Sequence, residues 1–79
     1  MEKHVIIYTE TTCPFCLQAK EYLREKGFEY QEKRVEEDHE VREELIDVSG
    51  QQGIPVIVVN DEVVIGYNQT MLDTLLTDN

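Results

Sequence analysis

The chain has 79 residues, a net charge of −10 and 41% hydrophobic residues, a composition too apolar for a disordered chain. We expect one small domain spanning residues 1–79, whose core contributes only about 3–5 kcal/mol of stability. A strongly acidic surface repels nucleic acid and anionic lipid, which excludes both as partners. The longest apolar run, Ile54 to Val59, is about a third of the roughly 18–20 residues that cross a bilayer, and no signal-peptide pattern is present. We therefore predict a monomer in the reducing environment of the cytoplasm.

The first predicted elements are a strand and a helix. The β-branched run from His4 to Tyr8 is typical of a buried strand, and the polar residues after it end the strand. Pro14 suits the first turn of a helix, because its missing N–H would be unpaired there. Gly27 ends this helix. The inner face of the helix carries Cys16, Ala19 and Leu23.

A second strand and a second helix follow. Apolar and charged residues alternate from Phe28 to Val35, which predicts a half-exposed strand. An acidic stretch then leads into a helix from about Asp38 to Ser49, and Gly50 lies past its end. The predicted inner stripe of this helix consists of Val41, Leu45 and Val48.

The C-terminal third predicts a β-hairpin and a last helix. The segment Ile54–Val59 is uninterruptedly apolar, as in a central strand buried on both faces. Asn60 and Asp61 form a two-residue turn into the strand Glu62–Ile65, which Gly66 ends. The last helix runs from Thr70 to Leu76 and turns Met71, Leu72, Leu75 and Leu76 toward the sheet. The order β-α-β-α-β-β-α predicts an α/β fold with a four-stranded mixed sheet covered by helices.

Cys13 and Cys16 lie at the predicted start of the first helix, separated by Pro14 and Phe15. The thiolate is the attacking species in thiol–disulfide exchange. A helix N-terminus offers unpaired N–H groups and about half a positive charge, which favour a thiolate at Cys13. Cys16 lies one turn deeper and can reach the same sulfur to expel a bound partner. The spacing therefore predicts a nucleophile and a resolving thiol, while Pro14 rigidifies the turn and Phe15 shields one side of it.

Two other interpretations of the cysteine pair stay open. Both thiols could be inert core residues, although a Cys-Pro-x-Cys at the start of a helix makes that a poor explanation. They could also bind a metal ion, but a structural zinc site usually needs four ligands. The only histidines, His4 and His39, belong to separate elements and are better explained as surface residues. We predict no metal site.

Pro55, in the apolar third strand, is a second signal. Proline in a central strand is confined to its first residue or to a bulge, because it cannot donate to the ladder. A proline at a strand entry is compatible with a cis or a trans peptide bond, and the residues themselves do not decide between them.

Three segments together resemble a bacterial glutaredoxin. They are residues 8–16 (Tyr-Thr-Glu-Thr-Thr-Cys-Pro-Phe-Cys), residues 53–56 (Gly-Ile-Pro-Val) and residues 65–67 (Ile-Gly-Tyr). The likeness extends through nearly the whole chain, with helices in matching positions. This combination is much more specific than a Cys-x-x-Cys pair alone.

The resemblance implies a thioredoxin fold in which Cys13 attacks and Cys16 resolves. It also implies a cis bond before Pro55, next to the active site, where the backbone of Ile54 pairs with a substrate strand. Gln51 matches a position that often contacts the glycyl carboxylate of glutathione. The substrate-contacting positions implied in this way are Pro14, Phe15, Gln51, Ile54, Pro55, Gly66, Tyr67 and Asn68.

Two departures from the family pattern bear on the electron donor. Glu10 stands where many glutaredoxins have a lysine that supports the thiolate and binds glutathione's carboxylate. The family's Gly-Gly-x-Asp segment, which receives the γ-glutamyl end, reads Gly-Tyr-Asn-Gln at residues 66–69. Glutathione carries a net negative charge, so we expect it to bind poorly. The resemblance then favours glutaredoxin-like redoxins served by a flavoprotein reductase, including those that feed ribonucleotide reductase.

Three functions are compatible with these residues. The first is electron transfer to disulfide-containing proteins or glutathione mixed disulfides, with no bound cofactor and with glutathione as a candidate co-substrate. The second is a metal- or iron–sulfur-binding redoxin module, although cluster-bridging relatives typically carry a single active-site thiol. The third is a disulfide-forming oxidant, which the missing secretory signal disfavours. The paired thiols favour the first function, a thiol–disulfide oxidoreductase.

Overall fold

A computed structural model of the chain describes residues 4–77, which form four strands and three helices in the predicted order. The strands are β1 (Val5–Thr9), β2 (Gln31–Arg34), β3 (Val56–Val59) and β4 (Glu62–Ile65). The helices are α1 (Pro14–Glu25), α2 (His39–Ser49) and α3 (Gln69–Thr77). No helix within residues 4–77 is long and apolar enough to cross a membrane.

The four strands join in a mixed sheet with the order β2-β1-β3-β4. β1 is parallel to β2 and antiparallel to β3, and β3 is antiparallel to β4. The parallel pair requires the crossover helix α1, whereas β3 and β4 are joined by the tight turn at Asn60. The turn places Asn60 at a φ of 56°, a left-handed conformation that asparagine tolerates. The predicted mixed sheet and hairpin are confirmed.

Both faces of the sheet are covered, and this fixes the position of α1. On one face α1 and α3 pack on the larger cluster of Val5, Ile7, Ala19, Tyr22, Leu23, Ile57, Val59, Val64, Leu72 and Leu76. On the other face α2 packs on the smaller cluster of Tyr8, Val35, Leu45 and Val56. Leu23 is completely buried, and burying a leucine side chain is worth about 1.5–3 kcal/mol. α1 is therefore held against the sheet by its buried face.

A polar contact joins the buried end of β1 to α2. The hydroxyl of Tyr8 donates to the carboxylate of Glu44, which also pairs with Lys33 Nζ at 2.6 Å. The hydrogen bonds from Lys33 and Tyr8 lower the pKa of Glu44, so this carboxylate is charged at neutral pH. The ionised carboxylate of Glu44 in α2 thus contacts both Tyr8 of β1 and Lys33 of β2.

The predicted boundaries of three strands are wrong. β1 covers Val5–Thr9 and not His4–Tyr8, because its pairing with β2 continues to Thr9 opposite Arg34. β2 covers only Gln31–Arg34, because its pairing with β1 begins at Ile6 opposite Gln31. Phe28 and Tyr30 lie outside the strand and pack against the larger cluster. β3 begins at Val56, not Ile54, because the two residues before it belong to a loop.

Three predictions about the second and third helices also need correction. Val48 is 36% exposed in the last turn of α2, where only Leu45 of the predicted stripe is fully buried. Met71 is 42% exposed, because α3 packs through a narrow stripe centred on Leu72 and Leu76. α3 begins at Gln69, one residue earlier than predicted, since Asn68 caps it.

Candidate active site

Cys13 is the N-cap residue of α1, directly after the loop that leaves β1. Its backbone is extended, with φ −100° and ψ 107°, and its carbonyl accepts the N–H of Leu17 at 3.3 Å. Its own N–H donates to the carbonyl of Glu10 at 3.3 Å, which closes the loop. The packing of α1 against the sheet therefore places Cys13 at a helix N-terminus, where its side chain is partly exposed.

The sulfur of Cys13 acts as the cap of the helix. Cys13 Sγ accepts the backbone N–H of Cys16 at 3.1 Å, which satisfies one of the unpaired donors of the first turn. The same donor and the positive end of the helix dipole stabilise a negative charge on that sulfur. Both thiols are free.

Cys16 has the opposite environment, since it is 1% exposed. Burial raises the pKa of the Cys16 thiol to about 12, and the hydrogen bond with Cys13 acts in the same direction. A backbone hydrogen bond from Glu10 and the charge of Lys20 lower the pKa of Cys16, but by less. The two thiols therefore differ in access, since Cys13 is partly exposed and Cys16 is buried, as the helix position predicts.

A hydrogen bond that no sequence pattern predicts joins the active-site loop to the loop after β2. The N–H of Thr11 donates to the carboxylate of Glu36 in a short hydrogen bond. This bond lowers the pKa of Glu36, so the carboxylate is ionised when it holds the loop. The sequence does not distinguish Glu36 from the other acidic residues, because its contact with Thr11 depends on how β2 pairs with β1.

The Ile54–Pro55 peptide is cis, as the resemblance implies. Pro55 is buried, and its carbonyl accepts the N–H of Gly66 at 2.7 Å. Gly66 has a φ of 79°, which a residue with a side chain adopts only with strain. This bond joins two of the three segments that resemble a glutaredoxin.

The remaining predicted contact residues differ in exposure and in the use of their side chains. Pro14 and Phe15 are exposed beside Cys13, with Phe15 at 59%, whereas Ile54 packs partly against the smaller core cluster. Gln51 and Asn68 use their side chains locally. The Gln51 amide bonds to the N–H and carbonyl of Gly53 and to Ser49, and Asn68 Oδ1 accepts the N–H of Met71 at 3.1 Å. Their contacts with a substrate stay predictions.

Tyr67 packs edge-on against Tyr22 of α1, with 6.2 Å between ring centroids and 64° between ring planes. The two rings border a cleft of about 380 Å³, also lined by Gln18, Glu21, Glu25 and Gln69. Burial raises the pKa of Tyr67, and the charges of Asp73 and Glu25 raise it further. The surroundings of Tyr67 are thus electrically negative.

The histidines stay apart from the cysteines. His4 lies next to β1, where its backbone N–H donates to Asn60 Oδ1, and His39 Nε2 lies 3.2 Å from Glu43 Oε2 on the surface of α2. Across residues 4–77, no three His, Cys, Asp or Glu side chains are grouped so that they could hold a metal ion.

A dithiol at the start of a helix, a cis bond before a strand-entry proline and a mixed sheet of this order are features of thiol–disulfide oxidoreductases with a thioredoxin fold. The glutaredoxin family model matches residues 5–64, and the chain belongs to that family. It is 37% identical over 70 residues to a glutaredoxin-like 8.6 kDa protein in the rubredoxin operon of Clostridium pasteurianum, covering 89% of this chain and 93% of that protein. It is 40% identical over 57 residues to glutaredoxin 3 of Escherichia coli K12, covering 72% and 69% respectively.

Solved structures agree with this assignment. The glutaredoxin grx-1 of Archaeoglobus fulgidus superposes with a TM-score of 0.88 at 29% identity, covering 95% of this chain and 87% of that one. The NrdH-redoxin of Escherichia coli, a glutaredoxin-like protein with a thioredoxin-like activity profile, superposes with a TM-score of 0.80 at 25% identity, covering 91% and 93%. The thioredoxin fold is confirmed.

The partly exposed position of Cys13 and the buried position of Cys16 predict the order in which the two thiols react. In a brief treatment with iodoacetamide at neutral pH, Cys13 should be modified first, because its sulfur is partly exposed at the N-terminus of α1. Cys16 is buried and has a raised pKa, so in a Cys13→Ser protein its modification is slow and keeps accelerating as the pH rises into the alkaline range. Fragmentation mass spectrometry locates the label. Modification of Cys16 before Cys13 in the native protein would contradict the assignment.

Proposed function

We propose that this protein reduces disulfide bonds in other proteins, and mixed disulfides with glutathione, through the dithiol of Cys13 and Cys16. The observation that supports this most directly is the sulfur of Cys13, partly exposed and hydrogen-bonded by the N–H of Cys16 at 3.1 Å. The reaction uses no bound metal or organic cofactor, because the two thiols supply both electrons.

In the first step the Cys13 thiolate attacks one sulfur of the substrate disulfide. The substrate S–S bond breaks, the leaving sulfur takes up a proton, and a mixed disulfide joins Cys13 to the substrate. In the second step Cys16 loses its proton and attacks the sulfur of Cys13. The substrate leaves as its second thiol, and the protein is left with a Cys13–Cys16 disulfide that a donor must reduce.

The exposed residues around Cys13 suit an extended protein substrate. Phe15 offers an apolar side chain beside the nucleophile, and Pro14 holds the turn on which that side chain lies. Ile54 provides backbone groups for a strand-like contact, in the manner of peptide addition to a sheet. In this account Pro55 and Gly66 fix that loop through the 2.7 Å bond between their backbones.

For the electron donor, we propose a flavoprotein reductase rather than glutathione. Glu10 precedes the active-site turn, and Glu21 and Glu25 line the cleft beside Tyr67, so the surface offers glutathione's carboxylates negative charge. Two unit charges 4 Å apart are worth about 4 kcal/mol at an effective dielectric of 20. Exposure and salt leave roughly 1 kcal/mol per contact. The thioredoxin-like activity profile of the similar NrdH-redoxin favours the same donor class.

Replacement of single cysteines tests the reaction. Incubated with a disulfide-containing protein, a Cys16→Ser variant should accumulate a mixed disulfide on Cys13, because nothing resolves it. A Cys13→Ser variant should form none. Non-reducing electrophoresis and mass spectrometry of the adduct give the readout. A Cys16→Ser protein that forms no adduct, or a Cys13→Ser protein that forms one as fast, would contradict the proposed roles.

Coupled turnover tests the donor. With NADPH, glutathione and glutathione reductase the protein should turn over slowly, and with NADPH and a thioredoxin-type reductase quickly. Glu10→Lys should raise the glutathione-coupled rate roughly fivefold, the equivalent of one surviving charge contact.

Glu62→Lys is the matched control for that substitution. It changes the net charge equally, but Glu62 pairs with Val59, at the end of the sheet opposite to Tyr8 and the active-site loop. It should leave the glutathione-coupled rate unchanged. Fast turnover of the native protein with glutathione, indifferent to Glu10→Lys, would refute the electrostatic argument and leave the redox function intact.

A further inference from the structure

The resolving step raises a question that the thiols alone do not answer. If Cys16 resolves the mixed disulfide, as the proposed function requires, it must become a thiolate while 1% exposed. Burial disfavours that charged form. A nearby positive charge would help, so we searched the surroundings of Cys16 for one.

Lys20 lies four residues after Cys16 on α1, one helical turn further along the same side. Side chains at this spacing are neighbours, with about 5–6 Å between their Cβ atoms. The Lys20 side chain is only 17% exposed, because it runs back against β2 instead of extending into solvent. From this position the charge of Lys20 lowers the pKa of Cys16.

Glu32 holds Lys20 there and also opposes its charge. Glu32 Oε2 lies 2.9 Å from Lys20 Nζ and accepts the hydroxyl of Thr9 at 2.7 Å. Thr9 is completely buried at the end of β1, so this carboxylate is fixed to the strand that leads into the active site. Burial alone would raise the pKa of Glu32, but the bonds from Thr9 and Lys20 and the charges of Lys20 and Arg34 outweigh it and lower the pKa.

Three groups affect the pKa of the Cys16 thiol besides its burial. Cys13 bonds to it from the helix start, Glu10 contributes a backbone hydrogen bond from the preceding loop, and Lys20 acts from the next turn. Arg34 lies behind Glu32, with Nε 3.6 Å from Glu32 Oε2. Lys20 is the cation among these groups whose charge acts on the resolving thiol directly.

We propose that Lys20 is a positioning residue for the resolving step, and that its positive charge, moderated by Glu32, favours the thiolate of Cys16. The proton of Cys16 passes to solvent, and the thiolate attacks the sulfur of Cys13. The Cys13–Cys16 bond forms as the bond to the substrate breaks, and the departing substrate sulfur takes up a proton.

A two-step reaction with 5,5′-dithiobis(2-nitrobenzoate) separates the two thiols. Attack by Cys13 releases the first thionitrobenzoate, and resolution by Cys16 releases the second. With equimolar reagent the second phase reports the resolving step alone. Stopped-flow absorbance gives both rates, and their pH profiles show which thiol a substitution affects.

The ion pair allows a test in which two substitutions act in opposite directions. Lys20→Met should slow the second phase roughly two- to fivefold and move its pH profile to higher pH, since a cation is lost. Glu32→Gln should accelerate it by a similar factor and move the profile to lower pH, since Lys20 is no longer neutralised. Lys20→Arg keeps the charge and should behave like the native protein. The first phase should change much less in all three.

A purely structural role predicts a different result. Both Lys20→Met and Glu32→Gln break the same pair, so a structural role would slow the second phase in both, in parallel with a fall in urea-unfolding stability measured on the same proteins. Slowing in both variants, or no effect of Lys20→Met, would overturn the proposal. Failure of the proposed function is distinguishable, because a native protein that does not resolve through Cys16 would release only one equivalent of thionitrobenzoate, the yield expected of a Cys16→Ser protein.

Discussion

The hydrogen bond from the N–H of Cys16 to the sulfur of Cys13 is the contact on which the candidate site depends. A helix N-terminus leaves backbone donors without partners, and in α1 a cysteine sulfur accepts one of them. A serine or aspartate oxygen could cap the helix as well, but neither could exchange a disulfide. The hydrogen bond from the Cys16 N–H to Cys13 Sγ therefore caps the helix and also directs a backbone donor at the sulfur. That atom is partly exposed because it follows the turn that joins the end of β1 to α1.

The second thiol has the opposite requirement. Cys16 belongs to the buried face of α1, where Ala19 and Leu23 pack on the sheet. Its burial raises the pKa of the thiol, so Cys16 is protonated at neutral pH. The partly buried pair of Lys20 and Glu32 then provides a local field at the turn of the helix where that proton must be lost. The two thiols therefore differ because Cys13 lies at the start of α1 and Cys16 lies one turn further in, on its buried face.

Local patterns predicted the fold well, and long-range pairing explains where they did not. The Cys-Pro-Phe-Cys turn, the apolar β3 and the positive-φ Gly50 after α2 each carry their signal within a few residues. The boundaries of β2 depend on its register with β1, and the exposure of Val48 and Met71 depends on which strands lie beneath them. The bond from Thr11 to Glu36 has no local signal, because residues 25 apart meet only after the sheet forms. The ion pair of Lys20 and Glu32 has no local signal either, because it joins α1 to β2.

A redox titration measures whether Cys13 and Cys16 form a reversible dithiol–disulfide couple. The native protein is equilibrated in dithiothreitol buffers of stepped ratio, quenched, and analysed by mass spectrometry. We expect a single transition in which the ratio of oxidised to reduced protein changes tenfold for about every 30 mV, the value for two electrons. The oxidised form should be monomeric and lighter by two hydrogens. A protein that shows no transition, or that oxidises only by forming a disulfide between two copies, would contradict the account.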